Sequence, residues 1–328
     1  MALLLLYLAP ILSFVTAYFA TPILIRYLRR IGLIVKDQNK EGKPLVPISG
    51  GLSVISGVLV GLMYYIFILV FFYKDLTQIS LIFAVLITLF LTCIIGFLDD
   101  LIINKTKDAS VGLRQWQKPL LTLIPAIPLM VINAGNSVMA VPFLGEVDFG
   151  LLYPLILIPI GVMIASNMVN LLAGMNGLEA GMGLIYIGSL GLYAYVNHGF
   201  EAAAIAAVVF AALLSFYYFN KFPAKILPGD SLTYLLGGAL AAIAVVGNLE
   251  KAALICSVPF ILEFLLKSRS KFKAQSYGYY DNGNIHSLHD KVYSLIHFFT
   301  IKPKFTERQI TYSFILVELF FATLIWFI

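Results

Sequence analysis

The chain has 328 residues, of which 60% are hydrophobic and 12% are charged, and its mean hydropathy is +0.93. This composition excludes an ordinary soluble domain and indicates an all-α protein that crosses a membrane many times. The net charge of +5 requires no nucleic acid as a partner, because basic loops beside anionic lipid headgroups account for it.

Ten apolar runs approach the roughly 20 residues that a helix needs to cross a bilayer. They lie at residues 2–25, 50–73, 79–98, 119–134, 151–166, 180–197, 201–219, 231–247, 252–267 and 310–328. Short turns join them, so residues 1–328 are predicted to form one transmembrane domain. The first run has no basic residue before it, which argues against a cleaved signal peptide. Residues 138–150 form either a small hairpin or a plain loop.

Basic residues are distributed unevenly between the two sides of the predicted membrane. If the loops alternate, 20 of the 22 Lys and Arg residues lie on one side, and only Lys74 and Lys251 lie on the other. By the positive-inside rule the first side is cytosolic, and ten spans then place both termini on the opposite side. The cytosolic loops are predicted to form the active site; they are residues 26–47, 99–118, 167–179, 220–230 and 268–308.

Three stretches near the first four spans carry polar groups. KPLVPISGG (43–51) is either backbone that approaches an anionic ligand or a simple loop. GFLDD (96–100) ends the third span with Asp99 and Asp100, whose side chains leave a helix about 100° apart and so cannot share one task. One could face a cation or phosphate while the other holds a basic residue, or both could only end the span. Lys118 is either a phosphate partner or an interfacial lysine.

The segment NMVNLLAGMNGLEAG (167–181) places three asparagines at the end of the fifth span. Asn167 and Asn170 are three residues apart and share a helix face. Carboxamide and carboxylate oxygens suit Mg²⁺, so Asn170 and Asp230 of the PGDS segment form a candidate metal pair. Two alternatives stay open: polar bonds between helices for the asparagines, and an ordinary helix N-cap for Asp230.

The last loop contains NIHSLHDKVYSLIHFF (284–299), in which apolar residues recur along one stripe. This pattern predicts an amphipathic helix on the membrane surface, with His286 and His289 on its polar side. The two histidines would form either a wall of a substrate site or a solvated face. A zinc site is disfavoured, because no third ligand lies nearby in the sequence.

These polar segments, in this order along the whole chain, resemble those of the polyprenyl-phosphate N-acetylhexosamine-1-phosphate transferases. The Asn-rich segment is most similar to the UDP-GlcNAc:dolichyl-phosphate GlcNAc-1-phosphotransferases of eukaryotes and archaea. The resemblance implies ten transmembrane helices, a cytosolic active site and Mg²⁺, with Mn²⁺ as the alternative ion. It also implies a UDP-N-acetylhexosamine and a polyprenyl phosphate as substrates. Dimers are usual in the family, so a homodimer is an open expectation.

The resemblance also implies roles for individual residues. Asn170 and Asp230 match the Mg²⁺ ligands, and Lys118 matches a lysine that contacts phosphate. Asp99 and Asp100 match a pair of aspartates proposed as nucleophile or base. Substrate binding is implied for Asn176, beside the uracil and ribose, and for Asn104. Asn167, Gly177, Glu179, His286 and His289 are further candidates for substrate binding.

The implied reaction is the first membrane step of lipid-linked glycan synthesis, as in N-glycosylation. A phosphate oxygen of the lipid attacks the β-phosphorus of the UDP-sugar, and UMP leaves. GlcNAc is the expected sugar, but HSLHDK (286–291) replaces the Arg-His-Arg cluster of the human-type branch, so another N-acetylhexosamine stays open. The alternative function is transport of an anionic solute, although a transporter's polar residues would lie near the bilayer midplane rather than at one face.

Overall fold

The structure is a computed structural model that describes residues 6–103, 112–141, 145–302 and 304–328. Helices make up most of it, so the predicted all-α membrane architecture is confirmed, with three short antiparallel hairpins in addition. The α-helices are α1 (Leu8–Arg30), α2 (Gly51–Ile68), α3 (Ile79–Ile103), α4 (Gln117–Leu121), α5 (Ile127–Val131), α6 (Ile158–Leu171), α7 (Leu178–Val196), α8 (Phe200–Asn220), α9 (Gly229–Gly247), α10 (Glu250–Cys256), α11 (Val258–Ser268), α12 (His297–Thr300) and α13 (Glu307–Leu324).

Seven helices of the described chain are long and apolar enough to cross a membrane. They are α1, α2, α3, α6, α8, α9 and α13. The candidate spans of α2, α6 and α13 also include an adjacent π or 3₁₀ turn, and that of α3 ends one residue earlier than the helix. The predicted run at 180–197 corresponds to α7, a helix of 19 residues that is not among the seven. The runs at 119–134 and 252–267 are helical but interrupted, the latter between α10 and α11.

Proline explains why the fourth predicted run is broken. It is divided into α4, a 3₁₀ turn (Ile124–Ala126) and α5, and Pro119, Pro125 and Pro128 lie within it. Each proline removes a backbone donor and crowds the preceding turn, so a continuous helix is disfavoured. The short α4 therefore behaves as a separate piece, and it carries Lys118.

Each hairpin joins two strands that are close in sequence. The pairs are β1 (Ile34–Lys36) with β2 (Leu45–Pro47), β3 (Val138–Val141) with β4 (Gly145–Asp148), and β5 (Gly278–Asp281) with β6 (Asn284–Ser287). Of the two alternatives for residues 138–150, the hairpin is thus confirmed.

The amphipathic helix predicted over residues 284–299 is wrong. The segment begins with β6, continues as turns and becomes helical only in α12. The physical reason is the turn before β6, where Asn282 and Gly283 have φ angles of 47° and 90°, as a two-residue hairpin of the type I′ kind requires. Two residues of the predicted stripe, Ile285 and Ile296, are buried inside the protein, whereas Leu288 of the same stripe is exposed.

Helix α9 is the centre of the bundle. It packs against α2, α3, α6, α7, α8 and α10, and every residue from 231 to 245 is buried. Its sequence is apolar or small on every side, which suits a helix surrounded by other helices. We call the end of the bundle where α3 finishes and α9 begins the polar end.

Close packing of α9 predicts that Gly237→Ala lowers the melting temperature in detergent. The added Cβ would overlap the Ala165 carbonyl group of α6, and overpacking of this kind costs about 1–3 kcal/mol. Gly161→Ala is the matched control, because nothing lies within 4 Å of a Cβ at that position. Equal melting temperatures for the two variants would contradict the close contact.

Candidate active site

Four charged side chains meet at the polar end of the bundle. Asp99 and Asp100 come from the end of α3, Lys118 from α4 and Asp230 from the first turn of α9. The two aspartates of α3 are fully buried, whereas the side chains of Lys118 and Asp230 are each 15% exposed. We call these four residues the charged cluster.

Lys118 lies between two carboxylates of the charged cluster. Its Nζ is 2.7 Å from Asp99 Oδ2 and 2.8 Å from Asp230 Oδ2. Asp99 also accepts a hydrogen bond from the Leu113 amide at 2.5 Å. Removing an ammonium from water costs several kcal/mol unless partners of this kind compensate. With three carboxyl groups and one ammonium, the ionised cluster is negative and would attract a cation.

Asp100 has a different task from its neighbour. Its carboxylate accepts hydrogen bonds from the backbone amides of Asp230 (2.8 Å) and Ser231 (3.2 Å) and from the Ser49 hydroxyl (2.8 Å). The first amides of a helix have no partner within it, so Asp100 caps α9 from another helix. It thereby fixes the first turn of α9, which presents the Asp230 side chain to Lys118.

Two glycines allow α3 and α9 to approach this closely. Gly229 has a φ of +68°, in the left-handed region where glycine is favoured, and a Cβ there would meet the Asp100 carboxylate. At Gly96 of α3, a Cβ would overlap the Asp230 carbonyl group. A side chain at either position would therefore separate Asp100 from the amides that it binds.

Asn170 lies beside Asp230, so the structure brings the predicted metal pair together. The Asn170 carboxamide contacts the Asp230 carboxylate, and its Oδ1 accepts a hydrogen bond from the Thr233 hydroxyl at 3.1 Å. Asp99 also lies against Asp230. Because Oδ1 is bonded to Thr233, the Asn170 amide N–H is the group that faces the Asp230 carboxylate in this arrangement. The two side chains nevertheless offer the kinds of oxygen, carboxamide and carboxylate, that Mg²⁺ prefers.

These donors fit an ion that keeps several water ligands. Among the residues that the structure describes, no three His, Cys, Asp or Glu side chains are arranged to hold a metal by themselves. Mg²⁺ is commonly held by one or two protein ligands and completes its shell with water and substrate phosphates. Asn170 and Asp230 could hold such an ion.

Asn167 contacts the helix of Lys118 rather than the charged cluster. Its Nδ2 donates to the Thr122 hydroxyl oxygen at 2.7 Å and to the Met163 carbonyl at 2.8 Å. The Thr122 hydroxyl in turn donates to the Lys118 carbonyl at 3.0 Å. Asn167 therefore braces the helical turn that carries Lys118.

Asn176 belongs to a second polar network, which joins four loops. Its Nδ2 donates to Asp37 at 3.1 Å, its Oδ1 accepts from the Ala224 amide at 2.9 Å, and its amide donates to Glu307 at 2.6 Å. Lys40 forms an ion pair with Glu307 and lies 3.4 Å from Asp37. Asn176 is buried and its polar atoms are occupied, so in this arrangement it holds the loops together.

Gly177 and Glu179 shape the turn that follows the asparagines. Gly177 has a left-handed φ of 79° and immediately precedes α7. The Glu179 carboxyl accepts a hydrogen bond from the Gly174 amide at 2.8 Å through Oε1, while its buried Oε2 has no hydrogen-bond partner among the described residues. Both residues therefore hold the turn that connects α6 to α7.

His286 and His289 do not project together. The His286 ring stacks on Tyr279 at 5.1 Å, in the β5–β6 hairpin. The His289 ring packs 5.4 Å from that of His297, whose pKa is lowered by burial. This hairpin is tied to the turn at residue 174 through Asn39, which donates to the Gly174 carbonyl at 2.6 Å and accepts from the Gly278 amide at 3.1 Å.

Several residues of the site were not singled out from the sequence. They are Ser49, Thr122, Thr233 and Asn39, all of which hold a predicted site residue or its loop by a side-chain hydrogen bond. Single hydroxyl groups and one loop asparagine leave no pattern in a sequence, although Ser49 does lie in the quoted stretch 43–51. The predicted Asn104 lies outside the described residues.

Comparison with known proteins identifies the family. The pattern of glycosyl transferase family 4 matches residues 82–248, a region that holds the whole charged cluster together with Asn170. The chain belongs to glycosyl transferase family 4. The first and last hairpins along the chain, β1–β2 and β5–β6, lie outside the region that the family pattern matches.

Relatives of this family-4 chain extend the similarity to nearly all of it. A Saccharolobus solfataricus protein, provisionally named UDP-N-acetylglucosamine–dolichyl-phosphate N-acetylglucosaminephosphotransferase, is 33% identical over 97% of this chain and 95% of its own length. A Sulfolobus acidocaldarius protein with the same provisional name is 30% identical over 97% and 94%. A phospho-N-acetylmuramoyl-pentapeptide-transferase of Halalkalibacterium halodurans is 34% identical over 78% of this chain and 79% of its own.

The charged cluster predicts a partial rescue between two substitutions. Lys118→Met is expected to lower the melting temperature, because it leaves buried carboxylates without a counter-ion, a loss of about 3–5 kcal/mol. Lys118→Met combined with Asp99→Asn removes one of the unpaired charges and should recover part of this loss. Thermal unfolding of the single and double variants measures the coupling, and strictly additive losses would contradict the ion pair.

Proposed function

We propose that this protein transfers an N-acetylhexosamine-1-phosphate, most simply GlcNAc-1-phosphate, from a UDP-sugar to a polyprenyl phosphate of the dolichyl type and releases UMP. The observation that carries the proposal is the largely buried ammonium of Lys118, held beside the carboxylate–carboxamide pair of Asp230 and Asn170. The two archaeal relatives, whose sequences align with 97% of this chain, bear the name of this activity.

The chemical step brings two anions together. A phosphate oxygen of the lipid forms a bond to the β-phosphorus of the UDP-sugar, the bond from that phosphorus to the bridging oxygen breaks, and UMP leaves with the electron pair. Lys118 would place its positive charge against the pyrophosphate, where charge develops in the transition state. Asp99 would orient Lys118, and Asp100 would keep Asp230 in place through the first turn of α9. No covalent intermediate with the enzyme is needed.

Asn170 and Asp230 would hold Mg²⁺, or Mn²⁺ in its place. When bound, the ion would neutralise negative charge on the pyrophosphate. Asn167 would act indirectly, by bracing the turn of Lys118. Roles for Asn176, Gly177, Glu179, His286 and His289 in direct contact with the nucleotide sugar stay predictions, as does a homodimer.

The polar end of the bundle would face the cytosol. The basic residues support this orientation, because 20 of the 22 Lys and Arg residues fall in the sequence segments assigned to the same side as the charged cluster, and positively charged segments remain cytosolic. Helix α1 enters the polar end at Arg30, and α13 leaves it at Glu307. Both termini would therefore lie on the opposite side of the membrane.

A transporter of an anionic solute is the weaker alternative. Transporters commonly bind their substrates near the bilayer midplane, at helices that unwind there. Here the charged cluster lies where α3 ends and α9 begins, and α9 continues as regular helix to Gly247. This placement favours an enzyme that works at the membrane surface.

Lipid-dependent release of UMP is the primary test. Purified protein with Mg²⁺, UDP-GlcNAc and a polyprenyl phosphate should release UMP, and Asp230→Asn should lower the rate at least about 100-fold, the scale of one lost transition-state group. Glu146→Gln, in the exposed hairpin at the other end of the bundle, is the control and should retain the wild-type rate. Folded wild-type protein that releases no UMP from any UDP-N-acetylhexosamine would sink the proposal.

The metal pair makes a separate prediction. EDTA should abolish UMP release, and Mg²⁺ should restore it. Asn170→Ala should raise the Mg²⁺ concentration needed for half-maximal rate about tenfold, the lower end of the effect of losing a metal-orienting group. Asn167→Ala should lower the rate without changing this Mg²⁺ requirement, because Asn167 contacts Thr122. An unchanged requirement in Asn170→Ala would assign the ion elsewhere.

A further inference from the structure

Tyr234 of α9 has a place in the charged cluster that neither the sequence motifs nor the comparisons assign. It follows Asp230 by four residues, so the two side chains share one face of the helix. The residue is fully buried, and its side chain interacts electrostatically with Asp230, Lys118 and Asp99. Tyr234 therefore lies one helical turn further along α9 than Asp230, beside the ion pair of Lys118.

The hydroxyl of Tyr234 is the unusual atom. It is completely buried, and Lys118 lies near enough to interact with it, but no hydrogen bond of good geometry reaches it from the described part of the chain. A buried hydroxyl without such a bond is unfavourable, because it has given up its hydrogen bonds to water. Serine and threonine hydroxyls in helices can bond to a carbonyl of their own helix, but a phenol extends too far from the backbone to do so.

A count of donors and acceptors shows what this hydroxyl could bind. A lysine ammonium has three N–H donors, and in this structure carboxylates of Asp99 and Asp230 lie within 2.7 Å and 2.8 Å of Nζ. The oxygen of Tyr234 is a further acceptor beside Lys118. If a metal ion or a substrate engages Asp230, Lys118 loses one of its two carboxylates.

We propose that Tyr234 is a positioning residue for Lys118. The Tyr234 hydroxyl oxygen accepts a hydrogen bond from the Lys118 ammonium when the Asp230 carboxylate turns to a ligand. The inference rests on the proposed function for its catalytic consequence. The contact itself does not depend on that function. Tyr234 would hold Lys118 at the reacting phosphates while Asp230 binds the ligand. In the cluster without a ligand, the Tyr234 hydroxyl oxygen is an available hydrogen-bond acceptor.

Tyr234→Phe separates this role from a structural one. The substitution keeps the ring and removes an unpartnered buried hydroxyl, so the melting temperature should stay equal or rise. The kcat for UMP release should nevertheless fall about tenfold, the scale of a hydrogen bond to a charged group, with the KM for the UDP-sugar within about twofold. A fall in melting temperature or a pure rise in KM would overturn the proposal in favour of packing.

Tyr186→Phe is the matched control. Tyr186 of α7 is also fully buried, and its hydroxyl has no hydrogen-bond partner in the part of the chain that the structure describes. Its ring packs on Phe260 at 5.9 Å, and its charged neighbour is Glu318 rather than the cluster. This variant should share the unchanged or higher melting temperature and keep the wild-type kcat. An equal loss of kcat in both variants would overturn the proposal.

A second measurement tests the contact without any activity. Asp230→Ala withdraws the carboxylate from Lys118, as a ligand would, and leaves Tyr234 as its remaining partner besides Asp99. In that background Tyr234→Phe should lower the melting temperature, whereas in the wild type it should not, and Tyr186→Phe should behave alike in both. The absence of this change of sign would refute the contact. Wild-type protein without UMP release would instead refute the proposed function, and the thermal cycle would still decide the contact.

Discussion

The largely buried ammonium of Lys118 is the constraint on which the polar end of the bundle depends. In an apolar environment a charge must be compensated at short range, and the compensating carboxylates come from two helices, α3 and α9. The short helix α4 is therefore held between them, and the ends of three helices are located relative to one another by one cation. Because α4 is too short to span the membrane, this ion pair and the hydrogen bond between Asn167 and Thr122 help to locate it.

The adjacent aspartates show how a helix end divides labour between two similar side chains. Asp99 faces Lys118, whereas Asp100 turns to the first amides of α9 and to Ser49. Backbone amides at a helix start need acceptors, and no residue of α9 itself provides a side-chain cap. The direction of the Asp230 carboxylate is thus set by a carboxylate from another helix, so the geometry of the site is built into the packing of α3 against α9.

The second polar network connects the loops at the polar end, as the charged cluster connects the ends of the helices. Asn176, Glu307 and Lys40 join the start of α13 to the turn before α7 and to the loop between β1 and β2. Asn39 joins that same loop to the β5–β6 hairpin. The loops at the polar end are consequently one connected layer, although the family pattern covers only residues 82–248. A conformational change in β1–β2 or β5–β6 could therefore alter the turn that follows Asn170.

Composition and hydropathy by themselves determined that the chain is a helical membrane protein, because runs of apolar residues of bilayer length have few other stable structures. Residue type at the predicted span ends, together with the family resemblance, was enough to select Asn170, Lys118 and Asp230, which lie close together. Asn167 was selected with them but contacts Thr122 instead. Only the tertiary structure decided that Asp100 caps α9, that Thr122 carries the bond from Asn167, and that Asn176 is occupied by Asp37, since partners so distant in sequence leave no periodic signal. Local turn chemistry at Asn282 and Gly283 likewise prevailed over the helical period of residues 284–299, because two left-handed residues direct the chain into a hairpin before a helix can form.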